Sequence, residues 1–229
     1  MDFTIIVNEW PIYWQGLYTT VWLVAVALAV GLVLALGLAM LRNSRYWFLK
    51  WPAWSFIYFF RGTPLLVQLF LIYYGAGQWA GLRESAAWAL FSQAWFCALL
   101  AFTLNTSAYT AEIIRGAINA MPAGHVEAAY AYGMSRLTTM RRIILPHSFR
   151  RALPAYSNEV IFMLHGSAVA GIITIVDLTG AARIVNSRYY SPFEAFLAAG
   201  LLYMCLTFIL VWGFRRLEHR WSAPLAPRD

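Results

Sequence analysis

The chain has 229 residues, of which 61% are hydrophobic and 12% charged, against about 45–50% and 25% in soluble domains, and no single soluble core buries that excess. With 11 Trp, 13 Tyr and 15 Phe and a mean hydropathy of +0.60, the composition belongs to the integral membrane class and excludes both disorder and a disulfide-stapled secreted scaffold. The net charge of +7 rests on 16 Arg and one Lys, so the question is which loops hold them.

A hydrocarbon core of about 30 Å takes about 20 mostly apolar residues per helix. Five such runs follow one another, at about 16–41, 52–80, 88–114, 153–176 and 193–214, the second interrupted early by Arg61. Met1-Asp2-Phe3 offers no basic lead-in, and the first run exceeds a signal-peptide core, so the first helix is expected to be retained. Cys97 and Cys205 lie inside apolar runs and read as packing residues.

The charges then set the orientation. Arg42, Arg45, Lys50 and Arg61 follow the first run. Arg115, Arg136, Arg141, Arg142, Arg150 and Arg151 lie between the third and fourth, and Arg215, Arg216, Arg220 and Arg228 follow the fifth. The opposite side holds only Arg83, Arg183 and Arg188. By the positive-inside rule the carboxy terminus is cytoplasmic and the amino terminus faces out. Topology accounts for the basic balance, and no nucleic-acid partner is expected.

The loop from Arg115 to Arg151 is the largest polar stretch and reads as helices. Val126-Glu127-Ala128-Ala129-Tyr130-Ala131-Tyr132 is a strong helix former stopped by Gly133, which accepts the left-handed conformation of a helix end. Ser135 can cap a second short helix, Leu137 to Leu145, which is expected to end at Pro146. Glu127-Ala-Ala, Gly133 and Ile143-Ile-Leu145-Pro146, at these separations, resemble the EAA motif of membrane permease subunits in bacterial ABC importers.

That resemblance implies a coupling loop that docks into a separate ATPase, with Ala128, Ala129 and Gly133 giving close packing and Glu127 and the Arg141-Arg142 pair giving charge contacts. Arg141 and Arg142 could equally meet anionic headgroups. The chain has no Gly-x-x-x-x-Gly-Lys-Ser/Thr stretch, and Lys50 is followed by Trp51. No cofactor is therefore expected on this chain, with ATP and Mg on the partner ATPase.

The resemblance covers nearly the whole chain. Arg61-Gly-Thr-Pro64 with Leu65-Leu-Val-Gln-Leu69, Asn105-Thr-Ser-Ala-Tyr109-Thr-Ala-Glu112, Leu153-Pro-Ala-Tyr-Ser-Asn158-Glu159 and Asp177-Leu-Thr-Gly180 are together similar to permeases for polar amino acids. They most resemble the M-type subunits of histidine/lysine/arginine/ornithine importers, with opine permeases close by. The resemblance implies one all-α polytopic permease domain over 1–229 with five transmembrane helices and a coupling loop at 116–150. It implies a bacterial inner-membrane location and four partners besides lipid. These are a related second permease subunit in a heterodimer, two copies of an ATPase and a periplasmic substrate-binding protein. It departs from many relatives at His165-Gly166-Ser167-Ala168-Val169, where Gly166 stands in place of an acid.

Charge inside hydrocarbon costs several kcal/mol and marks a partner or a wet path. Glu112 is a candidate for the substrate path, or a structural acid with Arg115 at i+3 as its helix-surface partner. Glu159, beside Asn158, suits a cationic substrate or an interhelical hydrogen bond. Asp177 suits a helix cap or a guide for cations from outside. Asn105, Thr106, Ser107 and Tyr109 fall near mid-span three, where a broken or hydrated helix would expose them, and Ser167 completes the candidate path. Pro64 is expected to kink the second span. His165 reads as packed, with no metal site around it. No hydrolase or metalloprotease motif occurs, and three intramembrane acids with an odd number of spans argue against a self-sufficient secondary transporter.

Overall fold

A computed structural model describes residues 3–222; Met1, Asp2 and the tail residue Arg228 lie outside the described residues. The described residues are built from helices joined by short turns, as a bilayer requires of a backbone whose N–H and C=O groups have no water to bond, and no strand occurs among them. A short α1 (Thr4–Asn8) leads into the 33-residue α2 (Trp10–Arg42). Then come α3 (Trp47–Gly62), α4 (Leu65–Ala76) and two single turns, α5 (Ala80–Arg83) and α6 (Trp88–Phe91). The central α7 (Ala94–Asn119) precedes the loop helices α8 (Ala123–Ala131) and α9 (Arg136–Thr139). A π turn (Met140–Ile144), α10 (Leu145–Gly166), a 3-10 segment (Ser167–Ile173), α11 (Leu178–Tyr189) and α12 (Pro192–Ser222) complete the chain.

Three helices, α2, α7 and α12, are long and apolar enough to cross a membrane alone, and up to five spans result if each of two bent pairs counts as one. The α2–α7 pair is the spine. Ala27, Gly31, Ala35 and Ala39 recur every fourth residue on one face of α2 and are buried. Opposite them α7 buries Ala98, Ala101, Ala108 and Ala111. Small residues at this spacing let two helices approach closely where lipid supplies no hydrophobic drive of its own. A Cβ on Gly31 would stand 2.5 Å from Thr106 Cγ2, so the crossing point is set by glycine.

Several elements depart from the sequence reading. Pro64 does more than kink the second span: α3 and α4 meet at 104°. The third span starts at Ala94 rather than Trp88, and α7 runs unbroken through Asn105–Tyr109, so no break exposes those residues. Pro146 does not end the second loop helix. In the π turn the Leu145 N–H reaches back to the Met140 carbonyl. The ladder is thereby shifted so that Pro146 enters the first turn of α10, where a missing N–H is tolerated. The helix expected from Leu153 thus begins at Leu145, closes through the 3-10 segment, and turns by 47° into α11. His165 is exposed rather than packed and meets the Thr207 hydroxyl at 3.0 Å. Cys97 is buried, whereas Cys205 is exposed.

Candidate functional site

Two regions collect the polar residues. The first is a cavity of about 580 Å³ where the α3–α4 break faces α7 and α10. Its walls include Pro64, Asn105, Tyr109, Asn158, Glu159 and Phe162. Breaking a helix frees backbone carbonyls that must find partners. Here Gln68, 2% exposed, donates through its amide to the Phe60 carbonyl (2.8 Å), the Thr63 carbonyl (2.9 Å) and Thr63 Oγ1 (2.8 Å). Asn105 in turn donates to Gln68 Oε1 at 3.0 Å and to the Phe60 carbonyl at 3.4 Å. One amide from α4 and one from α7 therefore hold the break open in a fixed shape.

Glu159 is 7% exposed at the cavity wall. Thr106 Oγ1 donates to its Oε1 at 2.8 Å, and no basic side chain lies within ion-pair distance of it among the described residues. A buried carboxylate hydrogen-bonded to one neutral hydroxyl, with Arg61 acting on it only from beyond ion-pair distance, is an expensive arrangement unless a cation arrives. The cavity has apolar flanks in Phe162, Met163 and Leu65 and polar groups in Asn105, Tyr109 and Asn158, which suits a small polar solute.

The other sequence candidates sit elsewhere. Glu112 is gripped by Arg115, whose Nε lies 2.9 and 3.0 Å from its two oxygens and whose Nη2 lies 2.7 Å from Oε2. Arg42 stands 3.7 Å from the same carboxylate. Glu112 and Arg42, with Arg61, Trp54 and Tyr58, border a second cavity of about 510 Å³. Arg61 of the second cavity contacts Tyr109 of the first: the guanidinium lies 5.3 Å from the ring centre, and the Tyr109 hydroxyl donates to the Arg61 carbonyl at 3.3 Å. Ser167 is fully buried and donates to the Leu164 carbonyl at 2.7 Å. Asp177 is fully buried and caps α11, accepting from the Gly180 N–H at 2.7 Å. Neither borders the first cavity. Gln68, Phe162 and Met163 are additions that the sequence reading did not single out. The Gln68 signal was a polar residue inside an apolar run just after an unpaired helix break.

The second region is the loop between α7 and α10. At the end of α8 the Met134 N–H bonds the Ala129 carbonyl (3.1 Å) and the Gly133 N–H bonds the Tyr130 carbonyl (2.9 Å). With Gly133 at φ +74°, this is a Schellman cap. Ser135 Oγ accepts from the Thr138 N–H at 3.3 Å and starts α9. Glu127 and Ala128 point outward, whereas Ala129 is 4% exposed and packs within the loop itself. Ala129 is therefore a brace of the hairpin, because the capped turn folds that face of α8 onto the π turn. Ile143 and Leu145 are half-buried, and Pro146 is exposed. Tyr132, 86% exposed, and Leu137, 61% exposed, give the loop an apolar tip that no sequence motif had marked.

Comparison with known proteins places these features. The family described as binding-protein-dependent transport system inner membrane component matches residues 27–223. The octopine transport system permease protein OccM of Rhizobium meliloti is 48% identical over 196 residues, 86% of this chain and 79% of that protein. The histidine/lysine/arginine/ornithine transport system permease protein HisM of Escherichia coli (strain K12) is 44% identical over 224 residues, 95% of this chain and 94% of that protein. Among solved structures, an amino acid ABC transporter crystallised with histidines superposes with a TM-score of 0.86 at 35% identity, covering 96% of this chain and 99% of the other. The MetNI methionine ABC transporter, at 18% identity and a TM-score of 0.76 over 92% of this chain and 98% of that one, shares the fold.

Proposed function

The chain belongs to the family of binding-protein-dependent transport system inner membrane components, and on that premise we propose that it forms part of the path for cationic amino acids in an ATP-driven importer. It is an all-α inner-membrane permease subunit, a transport component rather than an enzyme, that works with an ATPase and a substrate-binding protein. In the proposed assembly one domain spans 1–229 and pairs with a related permease subunit. Two ATPase copies carry ATP and Mg, and a periplasmic binding protein delivers substrate to the outer side, where the amino terminus lies. Glu127, Ala128, Gly133, Ile143, Leu145 and Pro146 shape the surface that the ATPase engages, with Tyr132 and Leu137 as apolar anchors and Ala129 as an internal brace. Closure of the ATPases moves the loops, and the spans rock to open the cavity inward.

The observation that carries the substrate class is the buried Glu159 carboxylate on the cavity wall, held by Thr106 and with no basic group within ion-pair distance among the described residues. Asn105, Tyr109 and Asn158 supply neutral polar groups around it. An opine remains the second reading, favoured by the 48% identity to an octopine permease; opines such as octopine and nopaline carry an arginine-derived cation, so the same carboxylate serves either. The test is uptake into proteoliposomes holding the full complex, with ATP inside and binding protein outside. Labelled arginine, histidine, lysine and ornithine are compared with octopine and nopaline. Uptake that needs ATP and binding protein, and that falls at least tenfold in Glu159→Gln with assembly retained, supports the reading. Unchanged cation uptake by that variant would overturn the role given to Glu159.

A further inference from the structure

The last two turns of α12 carry a feature that the transport reading does not use. Between Glu194 and Arg215 the helix has no charged residue, a stretch about 30 Å long at 1.5 Å per residue, equal to the hydrocarbon thickness. Only 11% of the apolar window of α12 is buried within the chain, and Phe208 and Trp212 are 63% and 58% exposed. The exposed apolar stripe runs straight into Arg215, Arg216, His219 and Arg220, all exposed and set at i+3, i+4, i+7 and i+8 from Trp212. These residues, with Phe208 and Val211, border a shallow hollow of about 890 Å³.

None of the three arginines makes an ion pair among the described residues, although Glu218 lies between them in sequence. Arg216 is already oriented, its guanidinium 4.2 Å from the centre of the Trp212 ring, a cation–π contact that removes part of the entropy cost of binding. The geometry points to a site for the phosphodiester headgroup of an anionic phospholipid of the cytoplasmic leaflet. Arg215, Arg216 and Arg220 meet the phosphate, and Phe208 and Trp212 lie along the acyl chains. Two facts on this helix favour lipid over protein as the occupant. The basic groups begin where the uncharged 30 Å stretch ends, which is headgroup depth, and the apolar stripe leading to them, Leu197, Leu201, Met204, Phe208 and Trp212, is exposed along its length. Arginine forks suit a phosphate bidentately, and an indole fits the boundary of chain and headgroup.

The experiment uses the whole importer. Complexes purified in mild detergent and exchanged into nanodiscs of phosphatidylethanolamine, with or without phosphatidylglycerol, are analysed for tightly retained lipid by native mass spectrometry. Wild type should retain phosphatidylglycerol, and Arg215→Gln/Arg216→Gln/Arg220→Gln should hold it more weakly by about a factor of five for each arginine. Arg45→Gln/Lys50→Gln, on the same membrane side, should retain it as wild type does. If the triple variant does not assemble, Arg216→Gln alone should show the single-arginine loss and Arg216→Lys a smaller one. Equal retention by wild type and the Gln variants overturns the proposal. So does efficient cross-linking of Arg216→Cys to another subunit in the assembled complex, which would show the hollow covered by protein.

Discussion

The Thr106 hydroxyl and the Glu159 carboxylate, 2.8 Å apart, tie the central helix α7 to α10 at the wall of the cavity. Thr106 has a second role. Its methyl group fills the space left by Gly31 on α2, so one side chain sets both the α2–α7 crossing and the pose of the acid.

Thr106→Val separates these roles, since it keeps the methyl contact and removes the donor. Losing a hydrogen bond to a charged group costs about 1.5–3 kcal/mol. We expect the complex to assemble, with a lowered Tm and weaker uptake of cationic substrates at unchanged ATPase subunit content. An unaltered Tm together with unaltered uptake would show that the hydroxyl does not hold Glu159.

Gln68→Leu leaves the Phe60 and Thr63 carbonyls at the α3–α4 break without the donor they share, and takes the acceptor from Asn105. A buried polar group deprived of its partner costs about 1–3 kcal/mol. The expected result is a fall of several degrees in the Tm of the purified complex and a loss of uptake. A Tm equal to that of wild type would mean that water or another group satisfies the break.

Two glycines of α2 should respond in opposite ways. Gly31→Val drives a Cβ onto Thr106 Cγ2 and should destabilise by about 1–3 kcal/mol through overpacking. Gly37→Ala meets nothing within 4 Å and should be neutral or stabilising by up to about 1 kcal/mol, the helix-propensity gain. Thermal melts of the two variants in one detergent check the pair; similar melts would remove the close crossing as the spine of the fold.

Gly133→Ala has open space around its new methyl group, yet the backbone there is at φ +74°, which costs a residue with a Cβ about 1–2 kcal/mol. The Schellman cap should loosen and the loop tip carrying Tyr132 and Leu137 should lose its pose. Membrane insertion should be normal while substrate-stimulated ATP hydrolysis by the complex falls severalfold. Full stimulation would separate the capped turn from coupling.

The sequence alone determined the class, the approximate positions of the five apolar runs and the helix–cap–helix character of the loop after α7. These rest on local quantities: apolar length, arginine placement, a glycine that accepts positive φ, a serine that caps. It also named Asn105, Tyr109, Asn158 and Glu159, because polar residues in apolar runs stand out by composition. It did not separate them from Ser167 and Asp177, which turn inward to the Leu164 carbonyl and the α11 amino end. Which polar side chains share a cavity depends on the rotation and crossing of helices far apart in the chain and on the 104° angle at Thr63–Pro64. Proline announces a bend but not its size. Only the tertiary structure decided that Gln68 and Asn105 together satisfy the carbonyls of the broken backbone, that Ala129 braces the loop from within, and that Arg42 joins Arg115 at Glu112. Each is a contact between segments whose spacing in sequence carries no fixed geometry.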